Sequence, residues 1–181
     1  MKKFSYLTTA LVSLGLTSIV NASNTGTTYF VGSVSETTCS IVTVQNGVEG
    51  IKVDVGTYTK AEVEKGNTRV VNFDLKALDS SGGACSPTDS VDISWVPSSG
   101  VWAAGGLKNT GTASGVAVKL MDKDGNAFNA ANFSVNYKKA DLPTASSTAM
   151  MPFQAQMVQN GSDTVAAGTV ISSAIFSVSY K

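Results

Sequence analysis

The chain contains no histidine. That absence removes Ser-His-Asp and Cys-His nucleophile pairs and most zinc sites together. Cysteine is almost missing as well: Cys39 and Cys85 are the only two, too few for a cysteine-built metal centre. Charge is sparse, with Asp, Glu, Lys and Arg at 14%, and no basic excess marks a nucleic-acid surface. A glycosidase-type carboxylate pair would have to come from Asp54, Glu62, Glu64, Asp74, Asp89 or Asp92. Glu62 and Glu64 flank a turn, and Asp89 and Asp92 flank a strand start, so solvated surface is the better reading. No catalytic constellation survives, and the chain is read as a non-enzyme.

What is present begins with an export signal. Lys2 and Lys3 precede a mostly apolar run from Leu7 to Val20, and Val20-Asn21-Ala22 follows where a signal peptidase reads small residues. Such a run is too short to favour a bilayer span, so residues 1–22 read as a secretory signal. The remaining 159 residues, from Ser23, suit one domain with a sizeable core. Their side chains carry 11 basic and 13 acidic groups, a net charge of −2. In an exported chain, a lone cysteine pair reads as one disulfide, with two free thiols as the alternative. Closing a loop of that length stabilises by roughly 4 kcal/mol in the chain-entropy model.

The mature chain is rich in Val, Thr, Ser, Ala and Gly, and strand signals recur at short spacing. Strands are predicted over Tyr29–Ser35, Cys39–Val44, Ile51–Val55, Arg69–Leu75, Ser90–Val96, Val116–Met121, Asn132–Tyr137, Met151–Val158 and Ile171–Tyr180. "DKDGNAF" reads as a hairpin turn at Asp124-Gly125, and "YTKAEVEKGN" as one short helical turn before Gly66. This many short strands with turns between them predicts a sandwich. In the closing strand, Ala174, Phe176, Val178 and Tyr180 share one face, and Ile175, Ser177, Ser179 and Lys181 the other.

Several motifs have plainer readings. "DKDGN" imitates the start of a calcium loop at Asp122 and Asp124, but Asn132 stands where the later acidic ligand belongs. Asn132 and Asn160 fit the glycosylation triplet, a pattern common by chance. Trp95 and Trp102 suit core or rim packing better than a sugar platform.

Five stretches, taken in order, resemble one family. "FVGSVSETTCS", "VVNFDLKALDSSGGAC", "SGVAVKLMDKDG", "MPFQAQMV" and "GTVISSAIFSVSYK" are similar to the successive segments of type 1-like fimbrial pilins. They run from the opening Phe30, Gly32, Val34 and Cys39 to the penultimate Tyr180. The resemblance implies an all-β, incomplete immunoglobulin-like sandwich lacking its seventh strand, completed by a donor strand. It implies a structural subunit of a chaperone–usher fimbrium, exported through the periplasm to a surface fibre used in adhesion. Its partners would be neighbouring pilin subunits, a periplasmic chaperone and an outer-membrane usher, with no cofactor and no nucleic acid.

On this reading residues 23–29 form a donor-strand arm and residues 30–181 the pilin domain. Asn24, Gly26, Thr28 and Phe30 are the donor-strand positions. The chaperone and acceptor groove is lined or flanked by Phe176, Val178 and Tyr180, and the carboxylate of Lys181 would meet basic groups on the chaperone. The arm, "SNTGTTY", is shorter and more polar than in many members of that family, with few apolar anchors. The alternative is a free-standing secreted carbohydrate-binding β-sandwich, which would need a full set of strands and no spare arm.

Overall fold

The computed structural model describes residues 39–79, 81–83, 85, 89–142 and 150–181. All of them belong to one compact unit, Ser35–Lys181. The expected signal at residues 1–22, the arm at 23–29 and the strand Tyr29–Ser35 lie outside the described residues.

The strands are β1 (Ser40–Gln45), β2 (Val48–Gly50), β3 (Val71–Leu78), β4 (Ser90–Pro97), β5 (Trp102–Ala103) and β6 (Gly106–Lys108). They continue with β7 (Val116–Asp122), β8 (Ser134–Lys138), β9 (Met150–Gln159) and β10 (Ala174–Tyr180). One sheet has the order β2-β1-β3-β9-β7-β6-β5 and the other β10-β4-β8. All named pairings are antiparallel. Period-two alternation explains why they stack: β3, β4 and β9 each bury one alternating face toward the opposite sheet. β3 buries Phe73, Leu75 and Ala77, β9 buries Met151, Phe153 and Ala155, and β4 answers with Val91, Ile93 and Trp95. Phe153, 1% exposed, is the hub. Its ring lies 5.7 Å from Phe73, 5.2 Å from Trp95, 6.1 Å from Phe128 and 5.8 Å from Tyr137.

The short helix α1 (Lys60–Glu64) starts where Thr59 and Glu62 form a reciprocal capping box. It buries Val63 against Val116, Met157 and Val165, a smaller apolar cluster at one end. The turn at Asp124-Gly125 forms as expected, and Asp122 is its organiser. One carboxylate oxygen accepts from the amides of Asp124 and Asn126, both at 2.9 Å, and the other from Asn126 Nδ2 at 2.8 Å. Those oxygens hold the turn, which is the plainer of the two readings of "DKDGN". Trp95 is in the core at 5% exposure, and Trp102 is half-buried at the rim.

One expected strand is corrected. Among the described residues, Ile51–Val55 joins no ladder. Val53 and Val55 pack on the core as their spacing implies, while Ile51 is 93% exposed. Apolar alternation reports burial on one side; it does not report a hydrogen-bonded neighbour. The neighbour here is a side chain. The Gln45 amide donates to the Asp54 carbonyl at 2.9 Å and accepts from the Asp54 amide at 2.8 Å, standing in for one residue of a partner strand.

Candidate functional site

β10 is paired on one edge only among the described residues: it hydrogen-bonds to β4. The phase of that ladder is fixed at its end. Lys181 donates its amide to Ser90 at 2.8 Å, and its carbonyl oxygen accepts from Ser90 at 3.2 Å and Asp89 at 2.7 Å. At the other end Ser98 donates to the Ser173 carbonyl at 3.0 Å. Hydrogen-bonded and non-hydrogen-bonded pairs alternate in an antiparallel ladder. Residues 173, 175, 177, 179 and 181 therefore turn their backbone groups to β4. Ala174, Phe176, Val178 and Tyr180 turn theirs to the open edge. The same four point their side chains inward and are half-buried, whereas Ile175, Ser177 and Ser179 are exposed.

The edge extends upstream. Thr169 and Ile171 hydrogen-bond toward residues 109–113, partly through the side chains of Asn109 and Thr112. Among the described residues, the main-chain groups of Val170 and Ser172 find no partner, while the Ser172 hydroxyl donates to the Lys108 carbonyl at 3.1 Å. Beside this edge lies an apolar cleft. A cavity of about 480 Å³ is floored by Phe73, Trp95, Leu107, Val118 and Leu120 and walled by Ile51, Val53 and Val55 opposite Val170, Ala174 and Phe176. A second space of about 610 Å³ continues it toward α1, sharing Val53, Val55 and Val170. The result is a long groove with strand-like backbone along one lip.

Among the described residues, two buried polar atoms in this region have no hydrogen-bond partner: Trp95 Nε1 and the Tyr180 hydroxyl. Burial pushes the Tyr180 hydroxyl up to about 12, so it stays protonated at any physiological pH. Trp95 meets Phe176 edge to face at 5.4 Å. At the far end, the Lys181 ammonium pairs with Asp92. That ion pair, with a hydrogen bond from Asn136, holds the Asp92 carboxyl below the usual range.

The sequence-derived positions divide accordingly. Phe176 lines the cleft, Val178 and Tyr180 pack on the core from the same face, and Lys181 ends the ladder with its side chain on Asp92. Asn24, Gly26, Thr28 and Phe30 lie outside the described residues. Cys39 and Cys85 are joined, with Cα atoms 6.0 Å apart, and Cys85 is buried. The opposite wall, Val53 and Val55, carries no site signal in the sequence, where "IKVDV" reads as an ordinary strand. Val170 carries only a weak signal, one of two adjacent apolar residues in "GTVISS". Of the carboxylates weighed for catalysis, Glu62 caps α1 and Asp54 holds the Gly56 amide at 2.8 Å.

A family model described as "Fimbrial protein" matches residues 28–181. The chain belongs to the fimbrial protein family. As a fimbrial protein it is a structural subunit of a surface fibre. Among solved structures it is similar to the P pilus rod subunit PapA, at 15% identity and TM-score 0.56, covering 86% of this chain and 100% of that one. It is also similar to a chaperone–usher pilus studied for rod uncoiling, at 14% identity and TM-score 0.55, covering 87% of this chain and 96% of that one. No curated protein sequence matches it. At these identities the likeness concerns the fold: this fimbrial protein has the immunoglobulin-like sandwich of pilus subunits, open along β10.

Proposed function

We propose that this fimbrial protein polymerises by donor-strand exchange, with the β10 edge and its groove as the acceptor. The observation that carries the reading is the coincidence at Ala174, Phe176, Val178 and Tyr180 of free backbone groups and inward-facing side chains. An added strand gains a generic hydrogen-bond ladder from the first and pockets from the second. An uncovered edge beside an apolar cleft invites aggregation, so a periplasmic chaperone holds it before an outer-membrane usher passes the subunit into the fibre. Residues 1–22 act as the export signal, residues 23–29 as the arm donated to a neighbouring subunit, and residues 30–181 as the pilin domain. The role is structural, without catalysis, and serves adhesion at the cell surface.

Deleting the arm from the exported chain, so that it begins at Tyr29, tests the reading. The truncated subunit should still be recovered soluble with its chaperone and should form no fibres. Long fibres from the truncated chain would overturn it.

A further inference from the structure

Two places in the chain set asparagine directly before glycine: Asn46-Gly47 and Asn160-Gly161. Asparagine is a thermolabile residue, because the amide nitrogen of the next residue can attack its side-chain carbonyl carbon. Glycine is the most permissive follower, since it has no Cβ to crowd the attack. By sequence the two pairs are equivalent. Their surroundings are not.

At Asn160 both ends of the carboxamide are held. Its Oδ1 accepts from the Gly105 amide at 3.0 Å, and its Nδ2 donates to the Asp163 carboxylate at 2.6 Å. Both bonds must break before the side chain can swing toward Gly161. Asn46 and Gly47, in the β1–β2 turn, are exposed, and nothing lies within 4 Å of where a Gly47 side chain would stand. Among the described residues, neither the Asn46 carboxamide nor the Gly47 amide nitrogen makes a hydrogen bond; the side chain that does so at this end of β1 is Gln45.

We propose that Asn46 is a site of spontaneous modification, deamidating through a succinimide, while Asn160 is protected by its two hydrogen bonds. The Gly47 nitrogen gives up its proton and bonds to Asn46 Cγ. The carbon–nitrogen bond of the carboxamide breaks, and its nitrogen leaves as ammonia with that proton. Water then opens the ring at either carbonyl. One product is aspartate; the other is isoaspartate, whose main chain runs through the former side chain and is one methylene longer.

The isoaspartate reaches the groove. Gln45 pairs with Val48 across the turn, and its side-chain amide clamps both backbone groups of Asp54 at 2.9 and 2.8 Å. Asp54 lies between Val53 and Val55 of the groove wall. The length of a hairpin loop fixes the register of its strands, so an added main-chain atom moves Gln45 relative to Val48 and withdraws the clamp. All three residues of β2 are exposed, leaving no buried contact there to resist the shift.

The test incubates the full exported chain, in the form recovered from the periplasm, at neutral and mildly alkaline pH. Peptide mass spectrometry follows the replacement of an amino group by a hydroxyl, and an isoaspartyl-specific methyltransferase with labelled methyl donor measures the isoaspartate. Asn46 should convert at least about tenfold faster than Asn160, the factor that two side-chain hydrogen bonds impose. Asp163→Ala should narrow that gap. After conversion, the Asp54 amide should exchange about three- to tenfold faster, matching the loss of one hydrogen bond. Asn46→Gly keeps a residue pair that suits the turn, and its Asp54 amide should not change on ageing. Asn160 converting as fast as Asn46 would overturn the modification site. Conversion at Asn46 with Asp54 exchange unaltered, or an equal rise in the aged Asn46→Gly chain, would overturn its reach into the groove.

Discussion

At the scale of single residues, Phe153 and Asp74 show opposite effects of burial. Phe153→Ala would empty the space shared by Phe73, Trp95, Phe128 and Tyr137. It should cost about 3–5 kcal/mol, read as a lower denaturation midpoint. Asp74 sits in β3 opposite Pro152, and burial raises its pKa above the ordinary 3.8. The folded chain therefore binds that proton more tightly than the unfolded one. Stability falls as pH rises from below 3.8 through the folded value, and the deficit persists at neutral pH. Asp74→Asn should raise the melting temperature at pH 7, with the difference fading once the pH is well below 3.8. A variant that melts at the parent temperature at pH 7 would show that water still reaches the carboxylate.

At the scale of elements, the strands with a clean period of two could be read from the sequence, because side-chain alternation is what the sandwich core selects. β10 was placed on its correct face this way, and β3, β4 and β9 within a few residues at either end. Where hydrogen bonding and burial part company, the sequence was less informative. Ile51–Val55 alternates, yet among the described residues its one pairing is with the Gln45 side chain. The hairpin β1–β2 lies outside the expected strands, although Asn46-Gly47 turns it with φ of 54° and 79°, the positive angles that favour Asn-Gly in a two-residue turn. β2 is three residues long and exposed throughout, so it has no apolar pattern to find. Gln45→Ala should free the wall of the groove at Asp54, seen as faster amide exchange there with little change elsewhere. In β10 itself, Val178→Asp puts a carboxylate on the inward face, where an unpaired charge costs several kcal/mol or forces its protonation. Ser177→Asp adds the same charge to the exposed face. Pull-down of the chaperone should recover less of the Val178 variant than of the Ser177 variant. Equal recovery would contradict the assignment of faces.

At the scale of the whole molecule, the fold class and the cysteine pair were within reach of the sequence, whereas the groove was not. Its two lips come from residues 51–55 and 170–180, brought together only by the packing of one sheet on the other. Replacing both cysteines with serine should cost about 2–5 kcal/mol, measurable as lower subunit yield in the periplasm. The bridge has a mechanical meaning too. In a fibre joined arm to groove, tension that reaches Cys39 crosses the disulfide to Cys85. It enters β4 at Ser90, five positions further along the chain, and passes through the β4–β10 ladder to the edge that grips the next arm. Everything between the cysteines, including β1, β2, α1 and β3, is bypassed by the tension. Stretching single fibres before and after reduction should expose that reserve. The sequence separation of 46 residues would add roughly 150–165 Å of slack per unfolded subunit. Oxidised, the fibre hands its load from subunit to subunit along a short covalent detour.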